Sequence, residues 1–178
     1  LIRKLRTRVP NLTIRSSVIV GFPGEEEHHF QELIDFVDEA HFSRLAGFLY
    51  SHEEGTTAGM KIDTVSESEK RERLDRLMSH QAMISAEVNR HYIGQTFDVL
   101  VEEVSDDPDF DYVGRTRMDA PEIDGQVFIS GSARVGEFAD VRITDSLDYD
   151  LIGHAVDEAP LLNISQPDVN PATTRSVS

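Results

Sequence analysis

A change in hydrophobic period near Gly94 constrains the fold of this chain more than any other feature. Upstream, apolar residues recur at the i, i+3, i+4, i+7 spacing of one helix face, as in Phe30, Leu33, Ile34 and Val37. Downstream they occupy alternate positions, the period of a strand with one buried face, as in Phe97, Val99 and Val101. Because the two periods belong to different elements, the sequence predicts an α/β region over residues 1–92 and an all-β domain over residues 93–158.

Two short segments flank that first helix: Ile14–Val20, which ends in an apolar run as expected for a buried parallel strand, and the apolar Leu45–Tyr50. Strand, helix and strand within about 35 residues form a β/α unit, which occurs in parallel sheets and in barrels. Ser66 with Glu69 predicts a capping box and a further helix that runs to about Asn89. The predicted inner face of that helix carries Leu74, Leu77, Met78, Gln81, Ile84 and Val88.

The second region is strongly acidic. Residues 93–158 hold 17 Asp and Glu against four Arg, a net charge of −13, whereas residues 1–92 carry −3. Short strands separated by Gly, Pro and Asp turns predict a small antiparallel barrel there. A surface this acidic should repel nucleic-acid phosphates and attract a basic protein, although acidity that only promotes solubility is an equally good explanation.

Composition excludes several kinds of site and segment. The chain has no Cys, which rules out disulfides and thiolate metal sites within it, and its seven His show no zinc-type spacing. No apolar run approaches the roughly 20 residues of a membrane-spanning helix. The tail over residues 159–178 is rich in Ser, Thr, Pro and Asn and is predicted to be disordered. Because the first residue is Leu1, we expect the chain to begin inside a longer protein.

Three short segments concentrate residues with functional chemistry: IVGFPGE (19–25), YSHEEGT (50–56) and VGRTRMDAPEIDG (113–125). The GFPGE turn offers backbone N–H groups to an anion at a helix N-terminus, or it is an ordinary β/α turn. Glu53 and Glu54 are either an acid/base pair or part of a solvated loop. In the third segment Pro and Gly explain a turn, but not its three carboxylates, Asp119, Glu122 and Asp124.

In this order and spacing, the three segments resemble the RimO-type methylthiotransferases, radical-SAM enzymes that modify a small-subunit ribosomal protein. The resemblance covers most of residues 10–156. It implies the last β/α units of a radical-SAM partial TIM barrel, followed by a five-stranded antiparallel TRAM domain of OB-like shape. The implied cofactors are S-adenosylmethionine and two [4Fe–4S] clusters. Cys thiolates hold such clusters, so the resemblance implies that they are ligated outside this chain and that the chain alone is inactive.

The resemblance also implies where the first cofactor lies. Ile19 and Gly21 would border the nucleoside of S-adenosylmethionine. Arg15 would meet the methionine carboxylate, a pairing that suits its forked donors. Glu25 would belong to the same site or would act only in capping the next helix.

For the protein substrate, the resemblance points to the acidic loop, with Asp119, Glu122, Asp124 and Arg115 as contacts. The implied reaction adds a methylthio group to the β-carbon of an aspartate in that basic ribosomal protein. We expect a cytoplasmic monomer with no membrane partner and no nucleic acid on the acidic domain. Three alternatives remain: a tRNA methylthiotransferase, whose loop is typically more basic, a non-catalytic binding module, and a hydrolase that uses Glu53 or Glu54.

Overall fold

The computed structural model describes residues 1–156 of the 178. Its first part contains α1 (Ile2–Arg8), β1 (Arg15–Val20), α2 (Glu27–Ala40), β2 (Arg44–Leu49) and α3 (Glu67–Arg90). β1 and β2 pair in parallel and α2 connects them, so the predicted β/α unit is confirmed. The predicted disordered tail, residues 159–178, lies outside the described residues.

Side-chain caps fix where the two longer helices begin. Glu26 caps α2 through reciprocal hydrogen bonds with His29, and Ser66 and Glu69 form the predicted capping box of α3. α2 ends at His41, which adopts the left-handed conformation with a φ of 49°. Each cap satisfies backbone groups that the helix itself leaves without partners.

The two helices pack on one face of the β1–β2 pair. Phe30 of α2 and Leu77 of α3 are fully buried there with Val20 of β1. Burial of each such side chain stabilises the fold by roughly 1.5–3 kcal/mol. Alternate strand residues point to the opposite face, where Ile19 and Phe48 lie in register and are 55% and 56% exposed. This open face of the pair therefore presents apolar side chains.

The second part is a closed barrel of five strands: β3 (Thr96–Val104), β4 (Tyr112–Thr116), β5 (Val127–Ser130), β6 (Phe138–Ser146) and β7 (Leu151–Ala155). The alternating residues of the sequence fill its interior. Val99, Val141 and Ile143 are almost completely buried in one cluster with Leu151. The predicted five-stranded barrel is thus confirmed.

Strand direction in the barrel corrects the prediction. We predicted an antiparallel barrel, but β5 and β7 pair in parallel while the other four neighbouring pairs are antiparallel. The barrel order is β3-β4-β5-β7-β6, with β6 closing onto β3. Direction cannot alternate all the way around a ring with an odd number of members. A closed five-stranded barrel must therefore contain a parallel pair.

Within residues 1–156, no helix combines the length and the apolar character that crossing a membrane requires. The domain boundary predicted near residue 92 falls between the end of α3 and the start of β3. The division into domains there stays a prediction.

Candidate functional site

The β1–β2 pair and the barrel meet at a buried ion pair. Arg44, at the start of β2, donates from Nε and Nη2 to Oδ1 of Asp119, at 3.0 and 2.6 Å. The second carboxylate oxygen accepts the Thr116 hydroxyl at 2.8 Å, and Arg44 Nη1 donates to the Ser43 carbonyl. Arg44 and Asp119 are only 7% and 6% exposed. A buried charge pair of this kind requires such a full set of partners.

A second ion pair lies beside the first. Arg15 is the cross-strand neighbour of Arg44, and it pairs with Asp124, whose other contact is the backbone N–H of Ala120 at 2.7 Å. Both acids belong to the loop over residues 117–126 that joins β4 to β5, which we call the junction loop. Two of its three carboxylates thus point toward the α/β part of the same chain.

Close packing completes the junction. A Cβ atom at Gly125 would overlap the carbonyl oxygen of Tyr149, so the junction loop passes this point only as glycine. Asn89 of α3 donates to the carbonyls of Leu147 and Asp148 in the β6–β7 turn, both at 3.3 Å. A cavity of about 580 Å³ remains between the parts, lined by Arg15, Phe48, Leu74, Met78, Ile123 and Tyr149 among others.

The GFPGE turn follows the C-terminal end of β1, and the backbone N–H groups of its Gly21 and Gly24 donate to side chains of this chain. Gly21 N–H donates to Glu25 Oε1 at 3.0 Å, and Gly24 N–H donates to the Thr64 hydroxyl at 3.0 Å. Arg73 of α3 binds the same Glu25 oxygen at 2.8 Å. Two of the backbone N–H groups that we predicted for an anion, those of Gly21 and Gly24, are therefore bound by a carboxylate and a hydroxyl of this chain.

Lys70 holds the same turn from α3. Its aliphatic stem packs where a Cβ of Gly21 would lie, and Gly21 also has a φ of 76°, so both space and backbone favour glycine. Its ammonium donates to Asp63 at 2.6 Å and Glu67 at 2.9 Å. The hydrogen bond to Asp63, followed by that to Glu67, raises the pKa of Lys70 above its ordinary value.

Sequence reasoning missed Lys70 and Arg73, both of which are buried on the inner face of α3. The signal was present: they extend the predicted inner stripe of Leu77, Gln81 and Ile84 toward the N-terminus at spacings of three and four residues. We assigned that stripe from its apolar members, and a long side chain can bury its stem while its charged end finds a partner.

The four residues predicted for S-adenosylmethionine do not form one cluster. Arg15 begins β1, whereas Gly21 follows the end of that strand, which places them roughly 20 Å apart at about 3.3 Å per residue. The structure brings Gly21 and Glu25 together and places Ile19 next to them on the open face. Their assignment to the cofactor stays a prediction.

The end of the strands near Gly21 has features that bear on binding of that cofactor. Ile19 and Phe48 offer an exposed apolar surface on which a flat nucleoside can pack. Tyr50, just after β2, is buried with its ring edge-on to Phe22 at 5.4 Å, and its hydroxyl has no hydrogen-bond partner within residues 1–156. A buried hydroxyl of this kind calls for a polar partner. The apolar surface fits a nucleoside, whereas the Tyr50 hydroxyl is itself buried, Arg15 is engaged by Asp124 and Glu25 is engaged by Arg73.

The remaining predicted contacts lie on the surface. Glu122 is exposed at the tip of the junction loop with a φ of 60°, and Arg115 donates to Glu102 at 2.6 Å on the barrel wall. Glu53 and Glu54 are exposed in the loop after β2. Among the described residues, no three His, Cys, Asp or Glu side chains come together in a way that could hold a metal ion.

Comparison with known proteins agrees with this architecture. Residues 93–156 match the TRAM domain family. Proteins named ribosomal protein uS12 methylthiotransferase RimO are 48% identical in Geobacter sulfurreducens, over 88% of this chain, and 51% identical in Pelobacter propionicus, over 86%. The protein of the same name from Trichlorobacter lovleyi is 48% identical over 89%.

The matched segment covers only 35%, 34% and 35% of those three relatives, so the chain spans about a third of their length. The match falls in their C-terminal part. The resemblance predicted from the three motifs is therefore confirmed, and the chain is related over most of its length to the C-terminal part of the RimO-type methylthiotransferases.

Proposed function

We propose that the full-length protein is a radical-SAM methylthiotransferase that adds a methylthio group to the β-carbon of an aspartate in ribosomal protein uS12. The observation that carries this proposal is the 48% identity to RimO of Geobacter sulfurreducens over 88% of the chain. This chain would contribute the last β/α units of the partial TIM barrel and the TRAM domain. The parallel β1–β2 pair has helices on one face and an open opposite face, as two neighbouring strands of such a barrel would have.

The proposed cofactors are S-adenosylmethionine and two [4Fe–4S] clusters. With them bound, the enzyme gains a radical that can take hydrogen from an unactivated carbon. This chain has no Cys, so the cluster thiolates would come from other parts of the protein. We assign to Ile19 and Phe48 the packing against the nucleoside, and to Lys70 and Arg73 the positioning of the Gly21 turn beneath it.

For the barrel, we propose recognition of a basic protein through its exposed carboxylates, of which Glu122 is one. Asp119 and Asp124 would reach a partner only if the junction opened, because Arg44 and Arg15 bind them within the chain. We therefore propose that these two acids orient the barrel while the outer wall binds the substrate. Opposite charge on the two partners would accelerate association and make the binding sensitive to salt.

Titration of the chain with purified uS12 and with a tRNA, over a series of salt concentrations, tests the binding part of this proposal. We expect salt-sensitive binding to uS12 and none to tRNA. Preference for tRNA would favour a tRNA methylthiotransferase and overturn the assignment of the substrate.

The enzymatic part requires the full-length protein. We expect it to add a methylthio group to an aspartate of uS12, detected by mass spectrometry of peptides, in a reaction that needs S-adenosylmethionine and reconstituted clusters. Absence of the modified peptide, with the clusters verified by spectroscopy, would leave the chain as part of a binding module. Because the proposed substrate is ribosomal, we place the protein in the cytoplasm. We also expect it to act as a monomer.

A further inference from the structure

A groove on the outside of the barrel combines exposed apolar and acidic side chains. It follows β6 and is lined by Asp98, Arg134, Glu137, Phe138, Asp140 and Val156 among others, and we call it the β6 groove. Phe138 is 67% exposed and Val156 is 48% exposed. A large aromatic side chain that a fold leaves in water is available to a partner.

The two central acids of the β6 groove, Asp98 and Asp140, are placed where they do not stabilise the barrel. Asp98 of β3 and Asp140 of β6 are direct cross-strand partners, and on that face they lie between the Leu100–Phe138 pair and the Thr96–Arg142 pair. Like charges directly opposite each other on an antiparallel ladder are destabilising. Within residues 1–156, neither Asp98 nor Asp140 forms an ion pair.

Within residues 1–156, no cation near the groove forms an ion pair with Asp98 or Asp140, although Arg142 lies exposed two residues from Asp140 on the same face of the ladder. Arg115 pairs with Glu102 at 2.6 Å on the neighbouring β4 side, and Arg134 lies 3.9 Å from Glu137 at the end of the groove. The named charges of the β6 groove are three acids and one Arg, a net of −2. The groove thus offers an apolar contact beside two carboxylates, Asp98 and Asp140, that have no ion-pair partner within residues 1–156.

We infer that the β6 groove docks a basic segment of the protein substrate, with an apolar side chain of that segment against Phe138 and Lys or Arg between Asp98 and Asp140. This inference rests on the proposed function and specifies where on the barrel the substrate binds. Charge complementarity decides the class of partner, because a phosphate backbone would meet two unpaired carboxylates. The cost of the Asp98–Asp140 repulsion in the free barrel is recovered when a cation binds between them.

The test measures binding of uS12 to the 178-residue chain and to matched variants. D98N/D140N removes two charges inside the groove, and E103Q/D106N removes two exposed charges outside it. We expect D98N/D140N to weaken binding about tenfold, as the loss of close charge pairs does, and E103Q/D106N to weaken it less than about threefold through the general field. F138A should also cost about tenfold, with V104A as the control for an exposed apolar residue outside the groove.

Thermal unfolding of the same variants distinguishes docking from damage to the fold. D98N/D140N should unfold at the same temperature as the wild type or higher, because it removes a repulsion, so weaker binding cannot come from a weaker barrel. Equal losses of affinity for uS12 in the two double variants, or no loss of affinity in D98N/D140N and F138A, would overturn the assignment of the β6 groove as the docking site. The proposed function would stay intact. Failure of the wild-type chain to bind uS12 would instead overturn the proposed function and the groove with it.

Discussion

The junction loop and the β6 groove use the same residue type in opposite ways. In the junction, Asp119 and Asp124 each meet an arginine of the α/β part and lie largely buried. In the groove, Asp98 and Asp140 face each other across a ladder in solvent. The acids of the barrel therefore include two populations, one paired with arginines of the α/β part and one that has no ion pair within residues 1–156.

A high local density of charge in the sequence therefore does not identify a binding surface. The junction loop is the densest run of functional-looking residues in the sequence, with three carboxylates between residues 119 and 124. Two of the three are engaged inside the chain, because Arg15 and Arg44 start adjacent parallel strands and project from the same edge. The free acids come instead from residues that are 42 positions apart in sequence and meet only through the ladder of β3 and β6.

The largest expected effect comes from breaking the buried pair. Asp119→Ala should lower the free energy of unfolding by about 3–5 kcal/mol, because it leaves the Arg44 guanidinium buried without its counter-charge. Urea unfolding followed by circular dichroism measures this change.

A paired replacement serves as the control for Asp119→Ala. The double variant Arg44→Met/Asp119→Leu removes both charges and should recover most of the lost stability, since apolar residues of similar volume can replace a buried ion pair. If Asp119→Ala instead lowered the free energy of unfolding by less than about 1 kcal/mol, as loss of an exposed ion pair does, the junction acids would contribute no more to stability than surface acids. That result would contradict the distinction between the two populations.

A smaller effect is expected where the junction loop passes the β6–β7 turn. Gly125→Ala should cost about 1–3 kcal/mol, the range of overpacking, because the new methyl group overlaps the backbone carbonyl of Tyr149. Gly136→Ala is the matched control, since nothing lies within 4 Å of its Cβ position and only its φ of 86° is unfavourable. Thermal unfolding measures both variants. Gly136→Ala gives the cost of a positive φ without overlap, and a loss below about 0.5 kcal/mol for Gly125→Ala, as for an ordinary surface substitution, would show that space at the junction is not limiting.

The second ion pair should matter less than the first. Asp124→Asn keeps an acceptor for the N–H of Ala120 but removes the charge that pairs with Arg15, whose side chain is 40% exposed. We expect a loss of about 0.5–1.5 kcal/mol, declining with added salt because Arg15 is accessible to ions. Unfolding at low and high salt measures this, and a loss as large as that of Asp119→Ala would remove the distinction between the two pairs.

Local pattern predicted the elements well, and long-range pairing limited the rest. The segments 14–20 and 45–50 with the helical stripe between them predicted the β/α unit, the capping box of Ser66 predicted α3, and the alternation after Gly94 predicted the barrel, because all of these signals act over a few residues. The parallel pairing of β5 and β7 was missed because it follows from closing a barrel with an odd number of strands. No short stretch of sequence contains that information. The partners of Asp119 were equally hidden, since Arg44 lies 75 positions away. The inward-facing Lys70 and Arg73 were missed because the predicted inner face of α3 began at Leu74 and left the first turns of the helix out.

The smallest expected effect concerns a pair that is intermediate between the two populations. Asp63 accepts from Lys70, whose side chain is buried, and this hydrogen bond holds the pKa of the Asp63 carboxyl below its ordinary value of 3.8. A group whose folded-state pKa is lowered contributes stability that is present above its unfolded pKa and is lost as pH falls through the folded value. The serine cap similarly lowers the pKa of Glu69 below 4.5 and acts in the same acidic window.

Asp63→Asn should therefore reduce stability at neutral pH and flatten its decline below about pH 4, while the contribution of Glu69 remains. Lys70 acts at the other end of the scale: its pKa is raised, so its contribution is complete below its ordinary value of 10.5 and is lost as pH rises beyond it. Urea unfolding of wild type and Asp63→Asn at several pH values between 3 and 7 measures the acidic limb. If the free energy of unfolding varied with pH in the same way for the two proteins, Asp63 would behave as an ordinary surface acid. Pairing with a buried cation would then not distinguish the junction acids from the surface acids.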